Sequence, residues 1–265
     1  MSDDVDLLFE RAMCDHWWLG DSATIVKRAE IEYLKSDQDN RLFNAVLRVS
    51  PQHKNPQQLV EEVMLAHQGK GSEWRIGAPS YTPLLEKAVL QSGYTVDGFA
   101  DAWTIDVNAS RPPAPEDIVV RKVDNLQQMR DMDMIMCTSF PKSKSKEDAE
   151  LEKELRMCTG KHARCLRFVA YNKNTQEPLS TGGLNLYPHL AFGFMWGGCT
   201  APHARGRGVY SAVVTSRMKQ AKIYGLKNIG LYAMRTTSGP IVEAQRFTKH
   251  GPIFFWGTDH IPTVS

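Results

Sequence analysis

The residues best arranged for chemistry lie late in the chain, in Phe192-Gly-Phe-Met-Trp-Gly-Gly-Cys-Thr-Ala-Pro202-His-Ala-Arg205-Gly206-Arg207-Gly208-Val-Tyr210. An apolar strand passes here through a short loop into a helix. Two glycines separated by one residue let the backbone fold tightly and turn several N–H groups outward. The helix that follows adds unpaired donors and the positive end of its dipole. Such a bend is a cradle for a pyrophosphate. Arg205 and Arg207 place fixed positive charge beside it, on side chains whose paired N–H donors suit phosphate oxygens, so the expected ligand is anionic. A P-loop would end in Gly-Lys-Ser or Gly-Lys-Thr, and a dinucleotide fingerprint needs a third glycine where Ser211 stands. Neither pattern fits.

The elements that must position this loop read as a mixture of strands and helices. Residues 166–200 read mostly as strands. Residues 208–224 read as a helix through Val209, Ala212, Val213, Met218 and Ala221, ending at Gly225, and residues 229–234 as a short strand. Thr236-Thr237-Ser238 suits a cap for a further helix with Pro240 in its first turn. Earlier in the chain, strands are expected over 41–49, 73–77, 99–107 and 118–123. Helices are expected over 57–67, opened by Asn55-Pro56, and over 82–91, 126–138 and 146–157. Between Asn108 and Asp117 three prolines stop regular structure, which makes this segment the expected linker. The polar run from Lys142 to Lys146 reads as a solvated loop.

A weak internal echo joins the two ends of the chain. Trp74-Arg-Ile-Gly-Ala-Pro-Ser-Tyr-Thr-Pro83-Leu-Leu-Glu86 and Leu231-Tyr-Ala-Met-Arg-Thr-Thr-Ser-Gly-Pro240-Ile-Val-Glu243 share a strand, a polar cap, a proline, two aliphatics and a glutamate. They are either one structural unit used twice or two ordinary strand-to-capped-helix joins.

Composition bounds the classes of function. With 265 residues, 42% apolar and 23% charged, the chain has the make-up of a globular protein of one large or two ordinary domains. Its 32 Lys and Arg nearly cancel 30 Asp and Glu, so the net charge of +2 gives no broad field to steer nucleic acid or an anionic membrane. The five cysteines, Cys14, Cys137, Cys158, Cys165 and Cys199, show no Cys-x-x-Cys pair and no zinc-finger spacing. Reduced thiols and no metal are expected. An acidic start and the lack of a long apolar run lead us to expect a cytoplasmic protein with no membrane span.

Several antiparallel strands followed by a phosphate loop late in the chain resemble the GNAT acetyltransferase superfamily at its acetyl-CoA motif. The resemblance covers residues 118–265. It implies an α+β GNAT fold, a mixed and mostly antiparallel sheet flanked by helices, in tandem GNAT-like halves. Residues 1–110 would be an amino-terminal half without a phosphate loop, and residues 111–265 the catalytic half. The resemblance further implies that residues 198–201 pair with the pantetheine arm and residues 203–209 hold the phosphates. The expected CoA-binding set is thus Cys199, Thr200, Ala201, His203, Arg205, Gly206, Arg207, Gly208 and Val209.

Two positions depart from that family's pattern. His203 stands where the family prefers Gln or Arg, which removes a side-chain contact and leaves the backbone cradle. The closing Tyr-Glu-x-Leu-Gly-Phe pattern reads Val242-Glu-Ala-Gln-Arg-Phe247, so Val242 replaces the tyrosine that protonates the departing thiolate. A thiol of pKa about 8.5 is a tolerable leaving group without it.

An alkyl amine of pKa about 10.4 must lose a proton before it can attack a thioester. His189, Glu177, Asp259 and His260 are available as bases, and spacing singles out none of them. Tyr232 and Tyr210 could donate a proton, with core packing as the alternative for either ring. Cys199 suggests a covalent route, with burial as a small hydrophobe as its alternative. The catalytic candidates are therefore Tyr232, Cys199 and His189, with none assigned. Trp17, Trp18, Trp74, Trp103, Trp196 and Trp256 could line an acceptor pocket, although core packing accounts for most of them. The expected activity is transfer of an acetyl or other short acyl group from acetyl-CoA or another acyl-CoA to a small-molecule amine, by a monomer or homodimer. The alternatives are other thioester chemistry on this fold, a decarboxylase or hydrolase, and a non-catalytic CoA-binding module.

Overall fold

The computed structural model describes residues 2–19, 23–140, 144–160 and 162–263. In chain order the elements begin with α1 (Ser2–Met13), β1 (Thr24–Lys27), β2 (Ile31–Lys35), β3 (Ala45–Val49), α2 (Pro56–Ala66), β4 (Ser72–Gly77), α3 (Pro83–Gln91) and β5 (Thr95–Asp106). They continue with β6 (Ile118–Lys122), α4 (Leu126–Ser139), α5 (Asp148–Thr159), β7 (Cys165–Asn172), β8 (Pro178–Tyr187) and β9 (Phe192–Thr200). The last are α6 (Val209–Ile223), β10 (Asn228–Met234), α7 (Ser238–Ala244) and β11 (Thr248–Thr258). The chain forms two compact units, Met1–Trp103 with Tyr232–Ser265, and Thr104–Leu231.

The first unit orders its strands β1-β2-β3-β4-β11-β5. β1 to β3 are antiparallel, β3 and β4 parallel, and β11 runs antiparallel to β4 with Trp256 opposite Trp74. Alternation along the strands decides the faces. Ile31, Tyr33, Val46, Trp74 and Trp256 pack with Leu59, Val60 and Val63 of α2 and Leu85, Ala88 and Val89 of α3, while Leu34, Ala45 and Leu47 pack around Leu19 instead. Thr82 caps α3 by accepting from Leu85 N, with Pro83 in the first turn.

The second unit orders its strands β6-β7-β8-β9-β10, antiparallel through β9 and parallel between β9 and β10. Two adjacent glycines of β8 show its two faces. A Cβ on Gly182 would meet the Arg217 guanidinium of α6, and one on Gly183 would meet the Trp196 ring. Trp196 packs with Met129, Met132 and Ile135 of α4, so α6 and α4 cover opposite faces.

Most expected elements stand within a few residues of their places, and the differences have local causes. The strand expected over 41–49 starts at Ala45, because the buried Asn44 side chain donates to Gln38 O at 2.8 Å and accepts from Ser36 N at 2.9 Å, holding residues 36–44 as a loop. α1 was not expected, although Val5, Leu8, Phe9 and Ala12 have helical spacing. β1 was also not expected; it is a four-residue strand without alternating burial. The compact units differ from the expected halves 1–110 and 111–265 in two respects, the first being that the division falls between Trp103 and Thr104. Second, residues 232–265 pack with the first unit, because β11 lies between β4 and β5. Residues 110–115 form no regular element, as the prolines require. Both copies of the echo fall on strand-to-helix joins, β4 to α3 and β10 to α7, but Thr237 makes no side-chain cap. There Ser238 Oγ accepts from Met234 N at 2.9 Å.

A fully buried polar chain ties the first unit together. The His67 ring lies 2.8 Å from Ser72 Oγ through Nδ1 and 2.7 Å from Leu34 O through Nε2, and Tyr94 OH lies 2.9 Å from Ser72 Oγ. A carbonyl oxygen only accepts, so Nε2 carries a proton, and because burial favours the neutral ring, Nδ1 accepts from Ser72 Oγ. Burial pulls its pKa down to about 4. The unfolded value is about 6.5, so this contribution is complete above that pH and is lost as the pH falls towards 4, by at most about 3 kcal/mol. The urea midpoint is expected to fall across this window, and His67→Gln, which keeps a donor and an acceptor, is expected to flatten the decline.

Candidate functional site

The site is built on β9. Its antiparallel ladder with β8 runs from Tyr187↔Phe192 to Ser180↔Thr200, but between Gly183↔Trp196 and Thr181↔Cys199 β9 spends one extra residue. Gly197 and Gly198 therefore share the place opposite Gly182, and Gly197 adopts φ +58°, which glycine tolerates without strain. The adjacent glycines are the local sequence feature that admits this bulge. On its other edge β9 pairs with β10 over only three residues, Phe192 to Phe194 with Asn228 to Gly230. Among the described pairings, residues 195–200 have no strand partner on that edge. Gly198 is exposed there, and a Cβ on it would come within 2.9 Å of the Tyr210 ring.

The chain then turns through Pro202–Ala204 into α6. Gly206 and Gly208 take φ +75° and +77°, and Gly208 occupies the N-cap position with no side-chain cap on the helix. The first N–H groups of α6 thus have neither an intrahelical acceptor nor a capping side chain. A Cβ on Gly206 would meet nothing within 4 Å, whereas one on Gly208 would lie 3.3 Å from Pro115 Cγ. One glycine faces open space and the other is walled by the proline-rich segment.

The cations expected beside this bend have partners. Arg207 Nη2 lies 2.7 Å from Asp117 Oδ2, His203 Nε2 lies 3.0 Å from Glu177 Oε1, and Arg205 Nε donates to Thr200 O at 3.2 Å. Arg111 Nη2 donates to Ser211 Oγ at 3.0 Å, in the first turn of α6. Asp117 and Glu177 immediately precede β6 and β8, whose starts lie at the end of the sheet where β9 finishes. Both contacts are exposed, and the Arg207–Asp117 ion pair is worth about 0–1 kcal/mol.

The catalytic candidates are placed as follows. Cys199 is buried, with Sγ 3.9 Å from Ile135 O, and burial raises its thiol pKa, as suits a core residue. His189 is exposed in the Pro188–Leu190 turn, at the opposite end of the β8–β9 hairpin from the loop, about 25 Å along the strand. Glu177 sits at the loop end, paired with His203. Tyr232 belongs to the first unit, 4.9 Å from the Phe9 ring. Burial, then Glu10 and Asp6, push its hydroxyl well above the usual tyrosine range. Asp259, also in the first unit, is paired with Arg41, and the neighbouring His260 is exposed. Val242 is buried in α7, and Arg246 follows at φ +63°. In the first unit Trp74 and Trp256 are wholly buried and Trp18 packs on Phe43, and in the second Trp196 Nε1 donates to Asn185 Oδ1. Within the Lys142 to Lys146 run, residues 142–143 lie outside the described residues. Ser145 Oγ and Lys146 N both donate to Asp133.

No protein-family model matches the chain, and no curated protein matches it. Solved structures do. A GCN5-related N-acetyltransferase from Kribbella flavida is 13% identical with a TM-score of 0.69, over 97% of this chain and 95% of that one. Another from Sphaerobacter thermophilus is 12% identical at 0.61, over 89% and 82%. A tandem GNAT protein from the clavulanic acid biosynthesis pathway is 9% identical at 0.61, over 92% and 85%. The chain therefore has the α+β GNAT fold, with mixed sheet and flanking helices. No helix among the described residues is long and apolar enough to cross a membrane, and no group of three or more His, Cys, Asp or Glu among them is placed to hold a metal.

One side chain in the second unit was not anticipated. Arg217 of α6 is fully buried over β8 and has no carboxylate partner among the described residues. Its Nη1 lies 3.4 Å from Gly183 O, its Nε and Nη2 have no hydrogen-bond partner, and its guanidinium stands 5.6 Å from the Tyr210 ring. A cation desolvated in this way opposes folding. Arg217→Met keeps much of the stem volume and removes the charge. It is expected to raise stability by about 1–2 kcal/mol, read as a higher Tm in thermal unfolding.

Proposed function

We propose that this protein is an acyl-CoA-dependent N-acyltransferase that moves an acetyl or other short acyl group to a small-molecule amine. The observation that carries the reading is the open edge of β9 leading into a two-glycine bend and the uncapped start of α6. An unpaired strand edge supplies alternating donors and acceptors suited to an amide-bearing chain such as pantetheine. The bend supplies N–H groups for a diphosphate. Residues 198–201 would hold the arm, and His203, Arg205, Gly206, Arg207, Gly208 and Val209 the phosphates. Arg207 and His203 would exchange Asp117 and Glu177 for phosphate oxygens, so the backbone carries most of the contact. On this reading the unit Thr104–Leu231 carries the CoA site, and the unit Met1–Trp103 with Tyr232–Ser265 is GNAT-like without its own phosphate loop; residues 50–55, between β3 and α2, contain no glycine.

When bound, the thioester supplies an activated acyl group. This chain's part is to grip the CoA moiety and orient its carbonyl beside the backbone of the open β9 edge near Cys199 and Thr200, since the Ala201 N–H is already given to Leu179 O at 2.8 Å. The packing of the Tyr210 ring against Gly198 supports Tyr210 as a proton donor near this edge. Val242 favours a second reading, hydrolysis or decarboxylation of a thioester on the same scaffold, because it brings no proton donor to its position.

Calorimetric titration with CoA is expected to show binding that Gly208→Val weakens about tenfold or more, by forcing φ away from +77° and crowding Pro115. Absence of CoA binding by folded protein would sink the proposal. With acetyl-CoA and a panel of amines, thiol release that requires an amine supports transfer. Release without one supports the second reading. Asp117→Asn frees Arg207 and is expected to tighten CoA binding about two- to fivefold at low salt, with the gain fading as salt rises.

A further inference from the structure

We propose that Cys158 and Cys165 form a reversible thiol–disulfide site whose oxidant is a hydroperoxide. The two residues occupy the last turn of α5 and the first position of β7, and the short connection between them brings their sulfurs to 3.8 Å. Both are buried, and the Cys158 thiol donates to the Cys165 sulfur. A disulfide needs about 2.05 Å, a closure within reach of side-chain rotation at a helix end. The α5 terminus passes into extended Gly160 there.

The surroundings make the pair chemically asymmetric. Arg167, two residues into β7, lies beside both sulfurs and is paired with Glu154 at 2.8 Å. The hydrogen bond from Cys158 and the charge of Arg167 lower the Cys165 pKa against the opposing effect of burial, while Cys158, which keeps the shared proton, is raised. Desolvation raises Cys14, Cys137 and Cys199 instead, with Asp133 adding to the effect at Cys137. Among the five thiols, Cys165 is thus the one whose neighbours favour the thiolate, and it has a second sulfur in contact at 3.8 Å.

The chemistry balances as follows. The Cys165 thiolate attacks the O–O bond of the hydroperoxide, forms an S–O bond and releases an alcohol or water, with a proton taken from solvent. The Cys158 sulfur then attacks that sulfenic sulfur, forms the S–S bond and expels hydroxide, which leaves as water with the Cys158 proton. Two thiols lose two electrons in total, and the peroxide gains them. Arg167 lies 4.8 Å over the ring of Trp196, which directly precedes the Gly197–Gly198 bulge, so the pair sits two side chains from the open edge of β9. The oxidation itself does not depend on CoA being the ligand.

Peptide mapping of the full-length folded protein tests the proposal. Reduced protein is treated with excess hydrogen peroxide at neutral pH, alkylated, and digested with trypsin without reduction. Cleavage after Arg156, Lys161, Arg164 and Arg167 releases Cys158 and Cys165 on separate peptides, 157–161 and 165–167. The expected product is these two peptides joined, two hydrogens lighter than their sum and separated again by dithiothreitol, with Cys14, Cys137 and Cys199 alkylated. Cys158→Ser is expected to abolish the joined product and leave Cys165 as a sulfenic or more oxidised acid. The proposal is overturned if both wild-type peptides remain alkylated, if Cys165 passes to sulfinic acid without joining Cys158, or if the bridge involves another cysteine.

Discussion

Strand β9 keeps its neighbour on one edge and loses it on the other after three residues, and the candidate site depends on that loss. Backbone N–H and C=O groups are obligatory hydrogen-bonding groups, so an open edge asks for a partner with its own donors and acceptors. The bulge at Gly197 and Gly198 bends the strand in its unpartnered stretch while β8 still holds the opposite edge in register. The loop and α6 then follow in fixed relation to that edge, since Ala201 N donates to Leu179 O at 2.8 Å and anchors the exit of β9 beside the start of β8.

Electrostatics at the bend are divided between fixed and exchangeable parts. The fixed part is the backbone, whose N–H groups at the head of α6 are aimed by Gly206 and Gly208 and cannot titrate. The exchangeable part is the pairing of Arg207 with Asp117 and His203 with Glu177, exposed and therefore weak. Such contacts keep Arg207 and His203 oriented yet release them easily to a doubly charged group. Arg217 differs in kind. It is wholly buried, and its charge is answered by a carbonyl and an aromatic face rather than by an anion.

The last strand of the chain completes the first unit rather than extending the second. β11 enters between β4 and β5 and places Trp256 opposite Trp74, both without exposed surface. Burying aromatic rings of this size contributes several kcal/mol to a core, so residues 1–103 do not close their core alone. The echo between the β4–α3 and β10–α7 joins extends to topology. In both places a hairpin strand leads through a helix to a parallel strand, then to a second helix and a further strand. Only the later copy has glycines at the turn into its first helix.

The sequence by itself determined what is local. Helical spacing marked α2, α3, α4 and α6, the prolines after Asn108 marked an irregular segment, and Gly206 and Gly208 marked the bend, because each signal is read over a few residues joined by the backbone. Tertiary structure alone decided which strand lies beside which, where β9 parts from β10, that Asp117 and Glu177 face the loop's cations, and that Cys158 meets Cys165. It also removed His189 from the site and sent Cys199 into the core. Strand partners and side-chain neighbours are chosen by packing between segments far apart in the chain. The periodicity that announces a strand is the same whichever neighbour completes it.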